Sequence, residues 1–380
     1  MRRNARWAVA VAFAVHGAAF GSYAARLPWI QERLELSPGA LGLALLMMSV
    51  GAVGSMPFAG RAVHRLGSRT ATRWFLLGWV GAMVLPALAP SLVALCVALL
   101  CCGVTAGTAD VAMNAQGVAV EQRMGKSIMS GLHGMWSVGG LIGSAIGAAA
   151  AYRNIDARVH LGVMAVVLAV AALLASFRLL PSRPAASDKP PRFAFPTGPV
   201  LGIALVGFCA VFVEGSTADW CAVYLRQVTD AGAGLAAASY TLFALTMAAG
   251  RISGDVVVRR FGAVRTVRAG GVVAVLGGVL VVLARAPAVA MIGFALCGLG
   301  VAVVVPLAFA AAGHAGPHSA HAIAGVATVS YGAGLAAPAA VGGIASLTSL
   351  PGSFAVITAL AAMISIGAGR LRPADAIRRV

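Results

Sequence analysis

The chain has 380 residues, 60% of them hydrophobic and only 10% charged, with a mean hydropathy of +0.92. A soluble domain carries about 25% charged residues, so these proportions exclude a water-soluble enzyme, a secreted protein and a nucleic-acid-binding domain, and they place the chain in a lipid bilayer. The net charge of +17, from 28 basic against 11 acidic residues, reads as basic loops at an anionic membrane face.

In chain order, apolar runs predict twelve membrane-spanning helices near residues 7–27, 39–60, 71–88, 91–118, 129–151, 158–179, 198–225, 235–257, 265–284, 287–312, 322–346 and 353–370. The fold class is therefore all-α integral membrane. The first run continues past Pro28 with no small-residue cleavage pattern, so no cleavable signal is expected. Residues 181–196, PSRPAASDKPPRFAFP, are too polar to span; they read as a cytoplasmic linker between six-helix bundles at 1–180 and 197–380. Cys96, Cys101, Cys102, Cys209, Cys221 and Cys297 show no CxxC or metal-ligand spacing and read as small packing residues. His314, His318 and His321 lack an accompanying Cys or acid and read as a solvated loop, not a metal site.

The two halves resemble each other. A shift of 198 lays Val15-His16-Gly17 on Val213-Glu214-Gly215. A shift of 195 lays His64-Arg65-Leu66-Gly67 on Arg259-Arg260-Phe261-Gly262, and Trp136-Ser137-Val138-Gly139 on Tyr331-Gly332-Ala333-Gly334. Such a duplication suits alternating access, in which two bundles rock about a site. With both termini placed in the cytoplasm, 22 of the Lys and Arg residues fall inside and 6 outside, a positive-inside pattern. A multi-pass protein of the bacterial inner membrane is expected.

Between spans two and three stands Gly60-Arg-Ala-Val-His-Arg65-Leu-Gly67-Ser-Arg69. This stretch resembles the signature loop of the major facilitator superfamily, a tight turn at Gly67 with arginines for helix-end acids and carbonyls. His64 stands where that family usually has Asp. In the second copy, with Arg259, Arg260 and Gly262, the acid sits one helical turn back at Asp255, between Arg251 and Arg259. A charge-locked gate is expected there. Three further stretches are similar to the fucose-permease-like branch: Gly107-Thr-Ala-Asp110-Val-Ala-Met-Asn114-Ala-Gln116-Gly-Val-Ala-Val-Glu121, Leu132-His133-Gly134-Met-Trp136-Ser-Val-Gly-Gly140, and Glu214-Gly-Ser-Thr-Ala-Asp219-Trp220. The resemblance implies proton coupling at the Asp110–Asn114 pair. The acid that the sugar permeases carry late in span one is missing from Gly21–Pro28, which departs from the sugar-binding pattern.

Asp110, Glu214 and Asp219 are the acids placed well within spans, and no Lys or Arg is expected mid-span to pair with them. A lone acid in hydrocarbon is expensive, which makes Asp110 and Glu214 the candidate proton-coupling groups. Asp110 and Asn114 share a helix face. Glu214 and Asp219 diverge by about 140° at 100° per residue, so both can face one solute only if Gly215 breaks the helix. His16, Tyr23, His133, Trp136, Trp220 and Tyr331 complete the expected cavity. His16, Phe20 and Tyr23 share one face of span one; His133 and Trp136 share one of span five. The glycines at 139, 140, 143 and 147 permit close packing of that helix.

The residues point to a monomeric secondary transporter of a small polar, sugar-like solute. It would be powered by a proton gradient, with no cofactor, no metal and no catalytic residue. A proton-driven efflux antiporter for apolar or cationic compounds is an alternative, and a non-transporting receptor or scaffold another. No GxSxG or HExxH stretch supports an enzyme.

Overall fold

The structure, a computed structural model, describes residues 2–124, 128–181, 196, 198–313 and 319–372. Contacts divide the chain into two units, Met1–Ser187 with Ala231–Thr241, and Asp188–Asp230 with Leu242–Val380. The first half of the chain forms α1 (Arg2–Ala24), α2 (Leu27–Arg33), α3 (Pro38–Leu66), α4 (Ser68–Ala82), α5 (Leu85–Leu88), α6 (Leu92–Met124), α7 (Met129–Tyr152) and α8 (Ala157–Ser176). The second half forms α9 (Pro199–Val228), α10 (Ala233–Phe261), α11 (Ala263–Leu283), α12 (Pro287–Val301), α13 (Val304–Gly313), α14 (Ser319–Leu347) and α15 (Leu350–Gly367). Among the described residues, twelve segments are long and apolar enough to cross a membrane, including Leu92–Met124 and Val200–Val228. They fall within a few residues of the twelve predicted runs. The predicted linker lies, between its end prolines, outside the described residues.

Proline explains why fifteen helices make twelve spans. Pro28, Pro86 and Pro306 each lie in the first turn of a helix that restarts a span, at the α1–α2, α4–α5 and α12–α13 breaks. A proline lacks the N–H that the preceding turn would need and pushes its neighbour out of the helical region.

Glycine sets how closely helices approach. In the first unit a Cβ on Gly17 would collide with the Trp136 carbonyl, and one on Gly139 with the Ala14 carbonyl. α1 and α7 therefore touch backbone to backbone, which brings the side chains of His16 and Trp136 within bonding reach. The second unit has such contacts between α11 and α12, where a Cβ on Gly270 would collide with the Gly300 carbonyl and one on Gly277 with the Gly293 carbonyl. It also packs rings: Tyr224, Phe294 and Phe354 meet edge-on at centroid distances of 5.2–5.6 Å. The Tyr224 hydroxyl donates to the Val281 carbonyl at 2.6 Å.

Candidate functional site

In the first unit the polar residues of α1, α6 and α7 converge. The Asn114 amide donates to the Asp110 carbonyl at 2.9 Å and to its carboxylate Oδ1 at 3.1 Å, as the four-residue spacing anticipates. Both residues are half-buried, and Asp110 forms no ion pair among the described residues. His16 is buried at 7% exposure. Its Nδ1 accepts from the Trp136 indole N–H at 2.9 Å, and its Nε2 lies 3.2 Å from the Ala106 carbonyl, one turn before Asp110 on α6. This bonding assigns the proton of the neutral ring to Nε2. Protonating Nδ1 would break the Trp136 bond.

An aromatic wall surrounds this cluster. Phe20 lies 6.0 Å from the Trp136 ring and 6.4 Å from Tyr240, centroid to centroid. Trp79 donates its indole N–H to the His16 carbonyl at 3.3 Å, with its ring 5.8 Å from the imidazole. His133 is exposed and meets Phe13 edge-on at 5.3 Å. Trp79 and Tyr240 were missed in the sequence, because each reads as one more aromatic in an apolar run. Tyr23, expected to line the cavity, is instead buried at 2% exposure and presents no surface to a solute.

In the second unit the expectation of acids without a cationic partner is corrected. Arg251 donates to Glu214 Oε1 at 2.7 Å, and the two form an ion pair. Arg251 lies inside the span Ala233–Gly254 rather than in a loop, which gives its guanidinium reach to α9. Helix α9 is continuous through Gly215, so Glu214 and Asp219 point in different directions around it. Asp219 is half-buried and makes no hydrogen bond or ion pair among the described residues. Trp220 has 0% exposure, which corrects its assignment to a solute-facing wall. The side chains of Asp255 and Tyr331 lie outside the described residues, as do His314, His318 and the side chain of His321.

The two hairpins match each other. Gly67, with φ +79°, closes α3 and opens α4; Gly262, with φ +81°, does the same between α10 and α11. A side chain at either position would be strained. Gly60 lies within α3 with open space beside it. Arg69 donates to the Ser176 and Phe177 carbonyls at 3.2 and 3.1 Å, satisfying the free end of α8. Arg65, Arg259 and Arg260 are exposed and form no ion pair among the described residues. Residues quoted above as part of the α6 motif turn out to be structural. The buried Gln116 amide donates to Ser68 Oγ at 2.9 Å and to the Leu180 carbonyl at 2.7 Å. Glu121 accepts from the Ile128 and Met129 amides at 2.7 and 3.1 Å.

Known proteins agree with this architecture. A sequence profile described as Major Facilitator Superfamily matches residues 9–339. An uncharacterized MFS-type transporter of Yersinia pestis is 34% identical over 94% of this chain and 93% of its own. Membrane protein MosC of Rhizobium meliloti is 30% identical over 80% of this chain and 74% of its own. Among solved structures, the nucleoside transporter NupG superposes with a TM-score of 0.75 at 12% identity, covering 96% of this chain and 99% of that one. The E. coli fucose:proton symporter FucP gives 0.62 at 17% identity over 97% and 98%. Identities this low speak for the fold alone.

Proposed function

The chain belongs to the Major Facilitator Superfamily and is a membrane transporter, not an enzyme, and from that premise we propose that it moves a small polar, ring-shaped solute by proton-coupled alternating access. The observation that carries the reading is the Asp110 carboxyl. It is half-buried in a membrane helix, forms no ion pair among the described residues, and accepts a hydrogen bond from Asn114. Such a group changes the charge of its surroundings by a full unit when it binds a proton, and charge at membrane depth is costly. One conformational state is thereby favoured when the proton is on and the other when it is off.

Trp136 and Phe20 supply flat faces on which a ring stacks, and Asn114 and Asp110 supply the donor and acceptors that a hydroxylated ring needs. NupG and FucP are by their names carriers of a nucleoside and of fucose, both polar ring compounds. The efflux alternative needed Glu214 as a lone acid; its pairing with Arg251 removes that support. The 22-to-6 charge asymmetry and the bacterial relatives support an inner-membrane protein with both termini in the cytoplasm.

The test is transport in proteoliposomes under an imposed pH gradient, scored as proton flux against a panel of hexoses and nucleosides. With the solute so found, Asp110→Asn is expected to abolish gradient-driven accumulation and to keep solute exchange. Asn preserves shape but cannot take up a proton. If Asp110→Asn still accumulates solute while Glu214→Gln does not, the proton site belongs to α9 and the proposal is wrong.

A further inference from the structure

Away from the polar cluster, helices α10, α11 and α12 of the second unit enclose a half-open cavity of about 400 Å³. It follows α10 from Gly250 to Phe261; eleven residues at 1.5 Å each make it about 16 Å long. Four lining residues are glycines, at 250, 254, 270 and 300, and a Cβ at any of them would collide with a neighbouring segment, so they hold the three helices close around the groove.

The lining is apolar apart from Ser253, Arg265 and Thr266. Two of these three have no proton left to donate. The Ser253 hydroxyl donates to the Ala249 carbonyl and the Thr266 hydroxyl to the Gly262 carbonyl, each at 2.8 Å within its own helix. Arg265 remains. It is exposed, makes no hydrogen bond or ion pair among the described residues, and sits by the Gly262 hairpin at one end of the groove. Arg259, Arg260 and Arg268 flank the same hairpin, also without an acid partner among the described residues. Beside the groove on α10, Ile252 and Val256 are 75% and 59% exposed, as suits a surface turned to lipid.

A narrow apolar trough about 16 Å long, capped at one end by a free guanidinium and running along a membrane helix, complements one molecule shape: an extended acyl chain with an anionic headgroup. We propose that this groove is a binding site for one anionic phospholipid, with an acyl chain along Val257 and Val273 and the phosphate at Arg265. Guanidinium binds phosphate oxygens in a forked geometry, and basic pockets between membrane helices select anionic lipids. A solute dissolved in water would instead need several hydrogen-bonding groups along the walls, and apart from Arg265 and the Ser253 and Thr266 hydroxyl oxygens the lining side chains are apolar.

Native mass spectrometry of the full chain in mild detergent, titrated with dioleoyl phosphatidylglycerol or dioleoyl phosphatidylcholine, tests the site. The expected result is one tight phosphatidylglycerol adduct, bound at least tenfold better than phosphatidylcholine. Arg265→Gln should weaken the adduct about tenfold, and Ala269→Trp, which fills the trough, should remove it. Arg153→Gln, at an arginine far along the chain, should leave it intact. Thermal unfolding in lipid-free detergent reports whether each variant folds, and Val257→Trp serves as the second filler if Ala269→Trp does not. Equal binding of the two lipids, or an adduct unchanged by both Arg265→Gln and a folded filler, overturns the proposal.

Discussion

The helix pair α1–α7 and its repeat counterpart α9–α14 are built from matching sequence positions and yet pack differently. Gly17 and Gly139 each face a carbonyl of the opposite helix so closely that a Cβ would collide. Their counterparts, Gly215 and Gly334, have room: nothing lies within 4 Å of a Cβ on Gly215, and the nearest atom to one on Gly334 is a Val211 methyl at 3.7 Å. Duplication kept the topology and relaxed the spacing in one copy. The electrostatics diverged as well. Near the tight pair stands a carboxyl that forms no ion pair among the described residues, Asp110, while the looser pair has Glu214 locked to Arg251 at 2.7 Å. A carboxyl bonded only to an amide takes up a proton at the cost of one hydrogen bond; a paired one gives up an ion pair to do so.

The packing difference is broken most directly by adding one methyl group. Gly139→Ala should cost about 1–3 kcal/mol, the usual penalty for overpacking, because backbone on the opposite helix cannot yield as a side chain can. Gly334→Ala should cost almost nothing. Thermal unfolding of both variants in detergent checks the contrast, and equal losses would mean that the two helix pairs are equally close.

The electrostatic difference is sharpened by a double-mutant cycle. Arg251→Gln leaves a half-buried carboxylate without its cation and should destabilise by about 2 kcal/mol. Combining it with Glu214→Gln should recover part of the loss, giving a coupling energy of about 1 kcal/mol. Asp110→Asn should barely alter stability, since the Asn114 amide still finds an oxygen at the same place. An intermediate effect is expected from Trp136→Phe, which removes one hydrogen bond to His16, worth about 1 kcal/mol. It frees Nδ1 for protonation, so the pH profile of transport should move while that of the Glu214→Gln variant stays put.

How far these differences could be read from the sequence depends on the range of the interaction. Spans and the Gly67 and Gly262 turns are local, and hydropathy and residue type betray them; the breaks at Pro28, Pro86 and Pro306 are local too, but a hydropathy run passes straight over them. The Asp110–Asn114 bond lies within one helical turn and was equally legible. The Glu214–Arg251 pair joins residues 37 apart on two helices. Arg251 falls inside the predicted run 235–257 near its cytoplasmic end, where it counts as a loop charge, and nothing in the run says that its side chain reaches back to α9. Trp79 meets His16 across a separation of 63 residues. No spacing rule encodes that contact, since it depends on how α1 and α4 are rotated about their axes. The Gly139 contact was half visible: a run of glycines announces close packing but not which helix comes close.

The smallest effect concerns helix starts, where the repeats differ in one titratable atom. In the first half Asp156 caps α8, accepting from the Arg158 amide at 2.8 Å and pairing with its guanidinium at 2.7 Å. In the second half Ser349 caps α15, accepting from the Gly352 amide at 3.1 Å. Both caps satisfy an orphan amide, but only the first can be switched off by acid. The hydrogen bonds from Arg158 hold the Asp156 carboxyl down at about 2, against about 3.9 in an unfolded chain. A depressed carboxyl contributes stability that is complete above the unfolded value and fades as pH falls through the folded one. The wild type should therefore lose a small increment of stability between about pH 4 and pH 2. In Asp156→Asn the amide oxygen still caps the helix and nothing titrates, so that increment should be absent while stability near pH 7 drops slightly. Unfolding midpoints of the two proteins, followed by circular dichroism from pH 7 to pH 2, should converge as the solution becomes more acid. Curves that remain parallel throughout would show that Asp156 carries no pH-linked stability and that the two caps are equivalent.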